Sequence, residues 1–323
     1  MFSLKRVSWA LRKLRFPIGG NALVLDLGSG GNPYPRSDIL LDRLGGAEHR
    51  SGVAMKIDRL AIMGDATKLP FKDKAFDFII ASHILEHMPN PDVFLREMQR
   101  VGKAGYIETP NFLCERLIPS DAHCLEVALV DGVLLLHKKK TPLEDFFIGS
   151  MRLLESDNDW RKVFQADPSL FHVRYFWVDE IKWKVVNPDI SCDWIEDIYA
   201  QSTSSEVVTN TNDGGRTGWR RFGISMLDRY HGFLRAKRLK NFDVFSILIC
   251  PECGSELVRL SNETHCVSCK AKYSTQSFLN FEKKLLCLLF DVFFEFKIMI
   301  CNYPVRSFSA FSEFTATGYS VLI

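Results

Sequence analysis

Two sets of residues in this chain of 323 have the types and spacing to do chemistry. The first is Asp26-Leu-Gly-Ser-Gly-Gly-Asn-Pro33, where an apolar run reaches a carboxylate and passes straight into a glycine-rich turn. Gly28, Gly30 and Gly31 lack Cβ, so a ligand can approach their main chain where a larger residue would clash. Ser29 and Asn32 add short polar side chains to the same turn. Downstream, Asp42 ends a second apolar run, where a carboxylate can accept hydrogen bonds from both hydroxyls of a ribose; a surface aspartate opening a loop is the alternative. Asp65, in Gly64-Asp65-Ala66, offers one acceptor for an exocyclic adenine amine beside the Ala66 amide, a donor for a ring nitrogen. The second set is Cys250-Pro-Glu-Cys253 and Cys266-Val-Ser-Cys269, separated by twelve residues. Each pair makes a knuckle that aims two thiolates at one ion, and four thiolates close a tetrahedral structural zinc site. The repetition of the pattern argues against a redox pair.

The elements that must position these groups follow from the apolar runs. Strands are predicted at about 23–27, at Asp38 to Asp42, at Leu60 to Met63 and at Phe78 to Ser82, apolar on both faces as buried parallel strands are. Only ten residues span Gly28 to Ser37, so the first crossover is reduced to a turn around Pro33 and Pro35. Ile84 to Met88 reads as one helical turn. A helix begins at Asn90-Pro91-Asp92, with Asn as cap and Pro at the first position, and buries Phe94, Met98 and Val101 before Gly102. Tyr106 to Pro110 is a fifth strand. Leu125 to Val130 and Val133 to His137 flank Asp131-Gly132, a hairpin signal.

These residues carry a resemblance. From about 23 to 140 the chain resembles class I S-adenosylmethionine-dependent methyltransferases of the type 11 kind. The motifs are Asp26-Leu-Gly-Ser-Gly-Gly-Asn-Pro33, Asp42, Gly64-Asp-Ala66 with Leu69-Pro-Phe71, Phe76-Asp77, and Leu85-Glu-His87. The resemblance implies an α/β fold with a Rossmann-like, seven-stranded, mostly parallel sheet whose last strand is reversed, matching the hairpin. It implies adenosylmethionine held by Asp26, Gly28, Ser29, Gly30, Asn32, Asp42, Asp65, Ala66 and Ser82. The shortened crossover fits a cofactor without phosphates, which does not need a helix N-terminus, and weakens a nicotinamide-dependent reading. The sulfonium carries an activated methyl group, so the protein must chiefly align an acceptor and exclude water. Candidate bases at the strand ends are His83, His123 and Glu108, with Asn111 as a polar orienter; His87 reads as structural.

The remaining segments divide the chain. Residues 1–20 are a basic amphipathic lead-in with no secretory pattern, and 21–145 the cofactor-binding core. Residues 146–240 are aromatic-rich, read as a helical insertion or substrate lid. Within them, Arg216 to Lys240 holds eight Lys or Arg against Asp228 alone, either a solvated helix or a patch for phosphates on RNA, lipid or a nucleotide sugar. Residues 246–281 resemble the zinc-ribbon proteins that partner RNA and protein methyltransferases, with a stand-alone stabilising ribbon the simpler reading. The Phe- and Leu-rich tail 282–323 packs on a core, on another chain or at a membrane surface. A net charge of +2 excludes a chain-wide case for nucleic acid. The leading expectation is a cytoplasmic methyltransferase of a small-molecule, sugar or lipid-linked acceptor; the alternatives are an RNA or protein methyltransferase and a non-catalytic binding scaffold.

Overall fold

The structure, a computed structural model, describes residues 16–43, 55–142, 159, 162, 163, 166–202, 218–260, 263–274, 279 and 280. All of them lie in one compact unit, Met1–Glu282. The lead-in as far as residue 15 and the tail 282–323 are outside the described residues, as are parts of the expected lid. Among the described residues no helix is long and apolar enough to cross a membrane.

The apolar runs build the centre of the sheet. Strands β1 (Val24–Leu27), β2 (Ile39–Asp42), β3 (Leu60–Met63), β4 (Phe78–Ser82) and, after helix α1 (Pro91–Val101), β5 (Ala104–Pro110) pair in parallel in the order β3-β2-β1-β4-β5. Alternation at period two sends Leu25 and Leu27 to one face, with Ile79, Ile107 and the α1 residues Phe94 and Met98. Val24 goes to the other face, with Phe78, Ile80, Tyr106 and Tyr34. Helix α1 has Pro91 in its first turn and ends at Gly102, as the sequence predicts; the Asn90 side chain, however, makes no capping bond.

The closing antiparallel strand is not the predicted hairpin. Helix α2 (Phe112–Leu117) leads to β6 (Leu125–Val130) and β7 (Val133–Lys138), which form that hairpin across Asp131 and Gly132, both at positive φ. The hairpin joins a separate three-stranded sheet with β9 (Trp183–Val185). The main sheet is closed instead by β8 (His172–Val178), antiparallel to β5 from Ala104↔Val178 to Pro110↔His172. The reason is a fit at Gly105: a Cβ there would sit 2.7 Å from the Trp177 indole, so only a bare backbone lets Trp177 lie against the sheet. Where aromatic density predicted helices, Val173, Tyr175 and Trp177 are therefore the buried face of a strand. Among the described residues, α-helices follow at α3 (Trp194–Ser202) and α4 (Gly218–Arg238).

Helix α4 supplies what the missing first crossover helix leaves undone. Arg235 donates to the carbonyls of Ser37 (3.0 Å) and Pro35 (3.1 Å), and Arg238 Nε donates to Asp38 (3.2 Å). Asp38, fully buried, also receives Arg36 and the Val24 amide, each at 3.0 Å. Lys56 reaches Asp228 of α4 at 2.8 Å. Two cations of the basic stretch thus face the core and not solvent. Asp38→Ala, which strands two buried guanidinium groups, is expected to lower stability by about 3–5 kcal/mol, read as the shift of the urea midpoint at constant m-value.

The strands of the cysteine-bearing segment join the main sheet. Strands β10 (Leu257–Arg259), β11 (Glu263–Cys266) and β12 (Lys272–Ser274) are antiparallel, and β13 (Leu279–Asn280) pairs with β12 and, in parallel, with β3, extending the main sheet. The Lys72 amide donates to Ile247 (2.8 Å) and the Ile249 amide to Pro70 (3.1 Å). Leu248, Cys250, Cys266 and Tyr273 are buried in the same core cluster as Phe71.

Candidate functional site

A cavity of about 740 Å³ opens at the carboxyl ends of β1 to β4. Its floor is the glycine turn, tied down by two carboxylates at the carboxyl ends of β1 and β2. Asp26 accepts from the Tyr34 amide (2.8 Å) and Asp42 from the Gly30 amide (3.0 Å). Gly28 and Gly30 have φ of +62° and +50°, and the Gly28 amide donates to Leu41 across the β1–β2 seam (2.8 Å). Asp65 accepts from the Thr67 amide (2.8 Å) and hydroxyl (2.7 Å), a turn that sets Ala66 on the wall.

Asp26, Gly28, Ser29, Gly30 and Asn32 line this cavity, together with Asp42, Asp65, Ala66 and Ser82. Residues the sequence places tens of positions apart are thus brought to one wall. The donor set suits a nucleoside with an amino-acid arm: carboxylates beside a bare-backbone turn, with no helix following β1 to hold a phosphate. One polar atom there has no partner, the buried Ser29 Oγ, which makes no hydrogen bond within the protein. A ligand in the cradle would satisfy it.

The candidate bases separate. His83, at φ +57°, lines the cavity half-exposed, with Nδ1 3.3 Å from Glu86 and Nε2 3.7 Å from Glu108. His123 is not among the lining residues; its Nδ1 meets Glu115 at 2.7 Å. Glu108 is fully buried against the Tyr106 hydroxyl and 3.5 Å from Ser82, and does not line the cavity. Burial, then the Glu108 charge, pushes the Tyr106 hydroxyl far above its ordinary range, so it stays a donor. Asn111 caps α2 at Cys114 (2.8 Å) and donates to Leu170 (2.8 Å), a structural role away from the cavity.

His87, read from sequence as structural, is both structural and a wall residue. Its Nδ1 lies 2.6 Å from the Ala122 carbonyl and 3.0 Å from the Tyr199 hydroxyl. Burial lowers its pKa, against the pull of Glu86. Burial would raise Glu86, but the nearby His83 imidazole, 3.3 Å away, and the charges of His87 and His123 outweigh it and hold the carboxyl at about 2. Tyr199 and Glu196 reach the cavity from α3, and Glu196 pairs with Arg43 at 3.2 Å across the rim. The sequence signal for them is Ile195 and Tyr199 four residues apart on one helix face.

Apart from this cavity, the sulfurs of Cys250, Cys253, Cys266 and Cys269 all lie within 4.8 Å of one another. Cys250 and Cys269 are 3.6 Å apart, and Cys253 and Cys266 3.3 Å. Thiolates bound at about 2.3 Å to one tetrahedral zinc would be separated by about 3.8 Å. Gly254 at φ +72° turns the first knuckle, whose Cys250 carbonyl accepts from the Gly254 amide (2.8 Å). The donors fit a tetrahedral metal.

The sheet order and the cavity at its carboxyl edge define a Rossmann-like α/β domain. Residues 41–107 match a family model described as a methyltransferase domain. It is 42% identical to ajmaline N-methyltransferase of Rauvolfia serpentina over 43 residues, 13% of this chain and 15% of that protein. It is 39% identical to demethylmenaquinone methyltransferase of Mycobacterium bovis over 72 residues, 22% of this chain and 29% of that protein. The chain thus spans less than a third of these curated relatives. Among solved structures, it is similar to a chain from the complex of the Haloferax volcanii Trm112 methyltransferase activator, with 17% identity, 54% and 96% coverage and TM-score 0.32. A second is the PH0226 protein of Pyrococcus horikoshii, with 18% identity, 46% and 78% coverage and TM-score 0.28.

Proposed function

We propose that the cavity binds S-adenosylmethionine and that the protein is a methyltransferase of a small-molecule acceptor. The observation that carries this reading is the convergence of the glycine turn, Asp26, Asp42, Asp65 and Ser82 on one cavity inside a methyltransferase domain. Asp42 would take the ribose hydroxyls and Asp65 with the Ala66 amide the adenine. Asp26, Ser29 and the glycine amides would hold the amino-acid arm. When bound, the cofactor supplies an activated methyl group. The protein's work is to orient the acceptor and exclude water, and His83, which lines the wall, would take a proton from it.

A small acceptor is favoured over RNA because Arg235, buried, and Arg238, partly buried, of the basic stretch are engaged by the first crossover. The relatives' printed names, ajmaline and demethylmenaquinone methyltransferases, accord with it. The four cysteines would hold structural zinc. Contact of the tail with a membrane surface, an RNA or protein partner, and a cytoplasmic location stand as expectations from the sequence. Titration calorimetry of adenosylmethionine tests the reading. Asp42→Ala, which removes a charged acceptor worth about 1.5–3 kcal/mol, is expected to raise Kd about 10- to 100-fold. An unchanged Kd would remove Asp42 from the site, and an absence of binding in the parent protein would sink the proposal.

A further inference from the structure

A cluster that meets the cavity through His87 has chemistry that alignment of a methyl donor does not call on. Glu86, His87 and His123 each offer one ligand atom, and the three atoms lie within 4.8 Å of one another. From this arrangement we infer that Glu86, His87 and His123 form a binding site for a divalent transition-metal ion, distinct from the four-cysteine cluster.

The first support is an unsatisfied oxygen. Glu86 is 1% exposed; one carboxylate oxygen accepts from the Thr109 hydroxyl at 2.9 Å. The other, Oε1, is buried and makes no hydrogen bond, with His83 Nδ1 3.3 Å away and outside hydrogen-bonding geometry. A buried carboxylate oxygen left in this state is costly unless a cation meets it.

The second support is the orientation of the imidazoles. His87 Nδ1 is 2.6 Å from the Ala122 carbonyl, and His123 Nδ1 is 2.7 Å from the Glu115 carboxylate. Both partners can only accept, so both Nδ1 atoms carry the proton, and in the neutral rings Nε2 keeps its lone pair. Metal-ligating histidines are fixed in this way, the second ring nitrogen donating to a carbonyl or carboxylate. The two rings stand edge to face at 4.8 Å, close enough to share an ion.

Two imidazoles and one carboxylate suit zinc, iron(II), cobalt or manganese better than magnesium or calcium, which prefer oxygen ligands throughout. Three protein ligands leave at least one coordination position. His87 lines the cavity, so an oxygen of a bound acceptor could take that position. Occupancy of the site does not depend on the methyltransferase reading; only its service to an acceptor rests on that reading.

The test therefore reads the metal directly. The full chain, stripped with a chelator, is titrated with Co²⁺ and followed by absorption. Cobalt on thiolates gives strong sulfur-to-metal charge transfer in the near ultraviolet, and cobalt on nitrogen and oxygen does not. We expect an equivalent without charge transfer, kept in Cys253→Ser/Cys269→Ser and weakened at least about 10-fold in His123→Ala and Glu86→Gln. Uptake accompanied throughout by charge transfer, or a second equivalent indifferent to His123→Ala, overturns the site. Because Glu86→Gln alters a buried group and can fail to fold, the parent protein loaded with Cu²⁺ supplies a second measurement. Electron spin-echo spectra should show coupling to two imidazole nitrogens on separate rings, and their absence overturns the proposal independently of any variant.

Discussion

Gly28→Arg is expected to abolish the heat of adenosylmethionine binding, with Kd raised beyond the measurable range and at least about 100-fold, or about 2.7 kcal/mol. Three effects act together. Gly28 sits at φ +62°, where a residue with a Cβ carries a penalty of about 1–2 kcal/mol. A Cβ there would stand 2.8 Å from Ile84 Cδ1 and 3.1 Å from Ile84 Cβ. The first contact yields by rotation, but the second is held by the backbone, so the turn itself must shift. The added side chain also brings a cation to the floor of a cavity that Gly28 lines. Far-UV circular dichroism and a melting curve separate loss of the site from loss of the fold. A folded variant that binds with the parent Kd would show that the glycine turn is not the cradle.

The second large effect is expected from the ribbon. With zinc held by the four cysteines as proposed, Cys250→Ser is expected to release it and lower stability by about 4 kcal/mol or more, on the order of 10 °C in melting temperature for a chain of this size. Cys250 is 1% exposed, and its sulfur lies 3.1 Å from the Tyr273 hydroxyl. Both residues belong to the cluster that includes Phe71 and the central strands. The strand β13 occupies the outer edge of β3, and β3 runs directly into Gly64, Asp65 and Ala66 on the cavity wall. Losing the metal should therefore also weaken adenosylmethionine binding, by an amount calorimetry would measure in the same variant. Metal analysis checks the premise. Parent protein without zinc, or a zinc-free variant that melts with the parent, would show that the ribbon is held by packing alone.

Much of this site was legible because its signals are local. An apolar run closed by a carboxylate and glycines reads as a strand end and its turn, and this held at Asp26, Asp42 and Asp65. The short first crossover followed from counting residues between Gly28 and Ser37, and the observed path there is a turn. The four cysteines follow from spacing, since each knuckle is built from neighbouring residues. What failed were pairings between distant segments. The hairpin at Asp131-Gly132 formed as its turn residues require, but nothing local says which sheet it joins. Residues 172–178 won the sheet edge because Trp177 fits over Gly105.

The basic stretch shows the same division. Its charges are plain in the sequence, yet the inward path of Arg235 depends on carbonyls, and that of Arg238 on the Asp38 carboxylate, about 200 positions away. The bases divide likewise: His83 and His123 stand near strand ends in sequence, but only His83 reaches the cavity, because Glu115 holds the other. By itself, then, the sequence determined the cradle, its acceptors and the cysteine knuckles, since turn conformation and short spacing are properties of contiguous residues. The tertiary structure decided which strand closes the sheet, that the ribbon extends β3, and that Glu86, His87 and His123 share one point. Those outcomes depend on packing and buried charge between segments whose encounter no local pattern encodes.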